Sequence, residues 1–141
     1  MGRGYWLPPR HEHLAACDGF YIDSNAVYAN GIDEGWYRLL EVLCKKIIYH
    51  ENSFEKLCCW KTCDIGQNYF VLLRNRHVEI IAEDIDGFVA VYVLVPEESH
   101  TPGMAKRAFP RYLMLLKTCL VDMFPGQIYK RINSQKVKSV E

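Results

Sequence analysis

The sequence predicts an α+β fold in which a three-stranded antiparallel meander, over about 68–95, carries two helices on one face. Two observations support this prediction. Apolar residues recur every three or four positions in two stretches, about 32–49 and 102–124, and this spacing is typical of amphipathic helices. Between these stretches lie three apolar runs separated by short polar connections, as in consecutive β-hairpins.

The first helix is expected over about 32–49. Ile32, Trp36, Leu39 and Leu43 recur at helical spacing and would lie on one side. Acidic residues stand near its start and lysines near its end, and both suit the helix dipole. The second helix, about 102–124, has the same apolar spacing.

Pro110 lies inside the second helical pattern. An interior proline removes a backbone hydrogen bond, so we expect a kink or a restart of the helix there.

The third strand of the meander, within 87–95, is apolar on both of its faces. Its alternating positions are Val89, Val91, Val93 and Val95 on one side and Phe88, Ala90, Tyr92 and Leu94 on the other. Such a strand needs cover on both sides, either from the rest of the chain or from a second copy. The pattern therefore favours a homo-oligomer, in the simplest case a homodimer.

The remaining segments give weaker patterns within a single domain that spans 1–141. Residues 1–30 are rich in Gly, Pro, Asn and Asp and are expected to form an irregular wrap over the core. Residues 127–132 resemble a short C-terminal strand, and 133–141 resemble a flexible tail.

Composition limits the location and the chemistry. No stretch approaches the roughly 18 consecutive apolar residues that a membrane-spanning helix needs, and Pro8 and Pro9 interrupt any secretory signal. The sequence thus predicts a cytoplasmic protein without a membrane partner. Its six cysteines are expected to be reduced, with no structural disulfide, because their spacing matches no disulfide framework. No residue pattern implies a cofactor.

The N-terminal segment offers one candidate binding site. Large rings and polar groups occur together there, a mixture that is enriched where proteins contact partners or small ligands. The candidate residues are Trp6, His11, His13, Tyr21 and Tyr28. The alternative interpretation is that the rings only cover the core and that the histidines lie in an ordinary loop.

The final third of the chain is basic and suggests a nucleic-acid surface as an alternative. The candidate residues are Lys106, Arg107, Arg111, Lys130 and Arg131. Positions 106–117 would spread around a helix, so the basic set is diffuse.

A metal-assisted hydrolase that uses His11, His13 and an acidic turn is a further alternative. Glu79, Glu83, Asp84 and Asp86 gather at one strand and its turn, and carboxylates of this kind bind Mg²⁺. The same residues suit a soluble sheet edge and an Asp-rich turn, which we favour, so no residue is assigned as a metal ligand.

The familiar phosphate-cradling and nucleophile motifs are missing from the sequence. The leading prediction is therefore a non-enzymatic binding protein that associates with a protein partner or with itself. No catalytic residue is assigned.

Overall fold

The computed structural model describes residues 16–62, 68–85, 87–95, 102–133 and 136–141 of the 141-residue chain. They contain one α+β domain built on seven antiparallel strands. The strands are β1 (Ala16–Asp23), β2 (Glu55–Thr62), β3 (Asn68–Arg74), β4 (Glu79–Ile85), β5 (Phe88–Val95), β6 (Ile128–Asn133) and β7 (Lys136–Ser139). All seven join in one sheet, in the order β2-β3-β4-β5-β1-β6-β7.

Four α-helical segments lie among the described residues. They are α1 (Ser24–Val27), α2 (Ile32–Tyr37), α3 (Cys44–His50) and α4 (Pro102–Met123). A π-helical segment, Arg38–Leu43, joins α2 to α3 without a break, and we refer to the whole of 32–50 as the composite helix. The long helices therefore lie close to the positions that the apolar spacing predicted. Pro110 lies inside α4, which continues past it.

The predicted three-stranded meander with two helices is wrong, because the sheet has seven strands. The N-terminal segment contributes β1, which pairs along its whole length with β5, where an irregular wrap was expected. The C-terminal tail contributes β7, which pairs with β6. The strand alternation of β1 is hidden by Gly19 and the aspartates, and that of β7 by its lysines.

Strand β5 lies in the middle of the sheet, as its two apolar faces suggested. Its neighbours are β4 on one side and β1 on the other, and neither pairing contains a register shift. Val91 and Tyr92, which point to opposite faces, are both fully buried. Because both faces are buried within one chain, the apolar pattern of β5 does not require a second copy.

The composite helix and α4 pack on the same face of the sheet. Leu39, Leu43 and Ile47 of the composite helix and Leu116 and Leu120 of α4 are fully buried in one core. Burial of each such side chain contributes about 1.5–3 kcal/mol to folding.

Polar contacts fix the two helices to each other. The Arg38 guanidinium donates a hydrogen bond to the carbonyl of Met123 at 3.1 Å and lies 4.9 Å from the ring centre of Phe124. Lys46 forms an ion pair with Asp122.

A second, smaller core lies on the opposite face of the sheet. Tyr21, Val71, Ile81 and Tyr92 are buried there, and the hydroxyls of Tyr21 and Tyr92 are 3.2 Å apart. No helix in the described ranges has the length and hydropathy needed to span a membrane.

Candidate functional site

An apolar groove opens between the composite helix and the β2–β3 end of the sheet. Its volume is about 370 Å³. The lining residues are Asp33, Trp36, Tyr37, Leu40, Trp60 and Phe70. Four of them come from the composite helix and two from neighbouring strands, so the groove depends on the helix lying across this end of the sheet.

The helical wall follows from the spacing of its residues. Asp33 and Tyr37 are four positions apart, as are Trp36 and Leu40, and residues with this spacing lie on the same side of a helix. Leu40 belongs to the π-helical segment that begins at Arg38. Such segments are rare and often occur at functional sites.

The strand wall is formed by one cross-strand pair. Trp60 of β2 lies directly opposite Phe70 of β3, and their ring centres are 5.0 Å apart. Trp36 contacts both rings, with centre separations of 5.8 Å to Trp60 and 5.9 Å to Phe70. The three rings form a packed aromatic cluster at edge-to-face and tilted angles, geometries that are favourable for aromatic pairs.

The upper parts of the walls face solvent. The side chains of Trp60 and Tyr37 are each 58% exposed, whereas Trp36 and Phe70 are half-buried behind them. Large exposed rings are costly to keep in water, and Trp and Tyr are the residue types most enriched at binding hot spots.

Tyr28 extends the aromatic cluster at its inner end. Its ring centre is 6.3 Å from that of Trp36, and its hydroxyl donates a hydrogen bond to the Asp84 carboxylate at 2.6 Å. Burial and the neighbouring Asp84 raise the pKa of the Tyr28 hydroxyl well above its ordinary value. The hydroxyl is therefore protonated at neutral pH and holds the end of α1 to β4.

A backbone irregularity also adjoins the strand wall of the groove. The pairing of β2 with β3 shifts register between Lys56 and Cys59, and within this shift Cys58 has a φ of 56°. A positive φ is uncommon for any residue other than glycine and costs roughly 1–3 kcal/mol.

The residues predicted to form a binding site do not lie together. Trp6, His11 and His13 lie outside the described residues. Tyr21 is buried on the sheet face opposite the helices, whereas Tyr28 lies on the helix side at the margin of the groove.

The basic residues predicted for nucleic acid divide between surfaces. Lys130 lies on the helix side, where it pairs with Asp18 at 2.6 Å and sits 4.7 Å from the ring centre of Phe20. Arg131 lies on the opposite face, with its guanidinium 5.0 Å from the ring centre of Tyr21.

The other basic residues are on α4. Arg107 is exposed, and Arg111 pairs with Glu51 at 3.4 Å. The side chain of Lys106 lies outside the described part of the chain. Because Lys130 and Arg131 face opposite ways, the set does not form one continuous surface.

The acidic residues predicted as possible metal ligands also separate. Glu79 and Glu83 lie on the sheet face away from the helices, with Glu79 paired to Lys61 at 3.6 Å, while Asp84 faces the helices and accepts from Tyr28. Asp86 lies outside the described residues. Among the residues that the structure describes, no three metal-ligating side chains converge.

A second, shallower depression of about 400 Å³ lies between α4 and the β1–β6 pair. Its charged residues are Asp18, Lys117 and Lys130. Asp18 and Lys130 are paired with each other across this depression.

Sequence reasoning missed the groove. Trp36 was assigned to the helical core stripe, and no strand was predicted around Trp60. The sequence does contain several large aromatic residues in segments that could become neighbours in the fold. However, only the order of the strands brings Trp36 and Trp60 into contact.

Comparison of the chain with protein-family models, with curated proteins and with solved structures gives no significant match.

Proposed function

We propose that the chain is a binding protein whose aromatic groove holds a short segment of a partner protein. The observation that supports this most strongly is the exposure of Trp60 and Tyr37 on the two walls of one groove. Inserting an apolar side chain between these rings would remove apolar surface from water on both partners, at about 25 cal/mol per Å².

The charge of the groove supports a basic partner segment. Asp33 is the charged residue among the groove-lining side chains, and the other five are apolar or aromatic. A Lys or Arg side chain is attracted both by a carboxylate and by the faces of aromatic rings. The preferred occupant is therefore a peptide in which Lys or Arg neighbours an aliphatic or aromatic residue.

The experiment is a selection from a displayed library of short random peptides, followed by calorimetry on the synthetic peptides that are enriched. We expect enriched peptides to combine a basic with an apolar residue. Trp60→Ala should weaken their binding by about tenfold or more, as expected when a hot-spot ring is removed. Asp33→Asn should weaken only the peptides that carry Lys or Arg.

Tyr49→Ala is the matched control, because Tyr49 is 85% exposed on the same composite helix and does not line the groove. Its affinity should equal that of the unchanged protein. Selected peptides that bind equally well to Trp60→Ala, or a selection that enriches no peptide, would overturn the proposal.

Self-association is a separate outcome. If sedimentation velocity finds a dimer of the unchanged protein and a monomer of Trp60→Ala, the occupant of the groove is a second copy of the chain. That result would replace the partner-protein proposal.

A further inference from the structure

Two thiols approach the same backbone carbonyl near the groove. Cys44 is the first residue of α3, and Cys58 lies on the edge strand β2. Their Sγ atoms both approach the carbonyl oxygen of Leu72, at 4.0 Å for Cys44 and 3.8 Å for Cys58. Each thiol also shifts the pKa of the other.

The irregular backbone creates this arrangement. Leu72 lies where both ladders of β3 shift register, the one with β2 and the one with β4. Within the described residues, Cys58 is the only non-glycine residue with a positive φ. Strained backbone of this kind tends to occur at functional sites, and here it accompanies the approach of Cys58 and Cys44 to one carbonyl.

We propose that Cys44 and Cys58 form a reversible disulfide that links the composite helix to β2. Both are free thiols in the structure, and their Sγ atoms lie within 4.0 Å of the same carbonyl oxygen. The shared approach to Leu72 distinguishes this pair from the adjacent Cys58 and Cys59, because Cys59 packs against the smaller core whereas Cys58 reaches the Leu72 carbonyl.

The oxidant is a peroxide, and Cys58 reacts first because it is partly exposed whereas Cys44 is fully buried. The Cys58 sulfur attacks one peroxide oxygen, the O–O bond breaks, and a sulfenic acid and one water form from hydrogen peroxide. The Cys44 sulfur then attacks the Cys58 sulfur and displaces its oxygen as a second water. Two thiols lose two hydrogens in total, and one hydrogen peroxide becomes two waters.

The neighbouring groups make both thiols slow to react with peroxide at neutral pH. Burial raises the pKa of both thiols, for Cys44 to about 12. Lys56 opposes this effect on each thiol, whereas Glu41 reinforces it. Since the thiolate is the reacting form, oxidation should accelerate as the pH rises above neutral.

The bond would act on the groove, and this part of the proposal rests on the proposed function. Trp60 is two residues beyond Cys58, while Tyr37 and Leu40 precede Cys44 on the composite helix. A bond between the two walls fixes their separation before a peptide arrives. Preorganisation of this kind lowers the entropic cost of binding, so the oxidised protein should bind a selected peptide several-fold more tightly.

The first experiment treats the full chain with hydrogen peroxide, blocks remaining thiols by alkylation and maps the peptides by mass spectrometry without reduction. We expect a linked peptide pair that contains Cys44 and Cys58 and that separates after treatment with dithiothreitol. Linkage of Cys58 to any other cysteine, or oxidation of Cys58 to sulfinic acid without linkage, would overturn the proposal.

Variants provide the controls. Cys44→Ala and Cys58→Ala should each abolish the linked pair, whereas Cys59→Ala and Cys119→Ala should retain it. Far-UV circular dichroism checks that each variant is folded. The mapping of the unchanged protein decides the question even if Cys44→Ala fails to fold.

The second experiment measures peptide affinity of the oxidised and reduced protein. Tighter binding after oxidation, lost in Cys44→Ala, supports the link to the groove. A disulfide that forms without changing affinity overturns that link alone. If no peptide binds in either state, the proposed function fails, while the mass map still decides whether the disulfide forms.

Discussion

The centre of the sheet and its β2–β3 end differ in regularity. β5 pairs with β1 and with β4 without a register shift, whereas both ladders of β3 contain one. The central strand is buried on both faces, while β2 is an edge strand with an exposed Trp60. The comparison indicates that close packing requires regular strand pairing at the centre of the sheet. The edge, which is less tightly packed, tolerates irregular backbone, exposed rings and a groove.

The largest expected effect comes from Gly19→Ala, which tests how closely the centre is packed. A Cβ at this position would lie 2.1 Å from the carbonyl oxygen of Val91 and 2.7 Å from the Cα of Tyr92. Since both contacts are with backbone, neighbouring strands would have to separate. Urea unfolding should show a loss of about 3 kcal/mol or more.

Gly103→Ala is the control for this substitution, because nothing lies within 4 Å of a Cβ built there. It lies in α4, where alanine favours helix, so the free energy of unfolding should be unchanged or higher by up to about 1 kcal/mol. Equal effects at the two glycines would contradict the tight packing of the centre.

A smaller effect at Cys58 tests whether the edge stores strain. Cys58→Gly and Cys58→Ala both remove the thiol, but only glycine adopts a φ of 56° without a steric penalty. The glycine variant should therefore be more stable than the alanine variant by about 1–2 kcal/mol in urea unfolding.

The same pair of substitutions at Cys119 should give the opposite order. Cys119 lies inside α4, where alanine is favoured over glycine by about 1 kcal/mol. If alanine were the more stable variant at position 58 as well, the strain assigned to the β2–β3 end would be absent.

The smallest effect concerns Tyr28, which connects the end of α1 to β4 beside the groove. Tyr28→Phe removes the hydrogen bond to Asp84 and should lower the free energy of unfolding by about 1 kcal/mol at neutral pH. Tyr49→Phe, at an exposed ring, should have no effect.

The raised pKa of Tyr28 also gives a pH dependence. In the unfolded chain a tyrosine loses its proton near pH 10, while in the folded protein Tyr28 retains it to higher pH. The stability that this group provides is thus present below about pH 10 and is lost as the pH rises further. Denaturant midpoints measured above pH 10 should fall more steeply for the unchanged protein than for Tyr28→Phe.

The central elements of the fold could be predicted because their burial leaves a period in the sequence. The stripe of Trp36, Leu39 and Leu43 predicted the composite helix, and the alternation in 87–95 predicted a strand covered on both sides. These patterns arise because burial selects apolar residues at regular intervals.

Strands β1, β2 and β7 could not be predicted, and the reasons are again physical. In β2 the register shift at Cys58 interrupts the alternation on which strand prediction depends. In β1, Gly19 stands where the ring of Tyr92 approaches the backbone, and a glycine there resembles a turn in the sequence. The lysines of β7 suit an edge strand but resemble a solvated tail.

The groove was harder still to predict, because its residues come from the composite helix and from two strands later in the chain. Trp36 was interpreted as a core residue of a helix, and Trp60 carried no prediction. Their contact depends on the order of strands in the sheet, which local patterns do not determine.

The π-helical segment Arg38–Leu43 has a consequence for the phase of the composite helix. A π turn contains one more residue than an α turn, and one residue corresponds to about 100° of rotation in an α-helix. The residues before and after the segment are therefore rotated relative to their positions in an unbroken α-helix: Trp36 packs against the core and lines the groove, while Ile47 is fully buried. Deleting one residue between 38 and 43 would restore an unbroken α-helix and turn the aromatic wall away from Phe70.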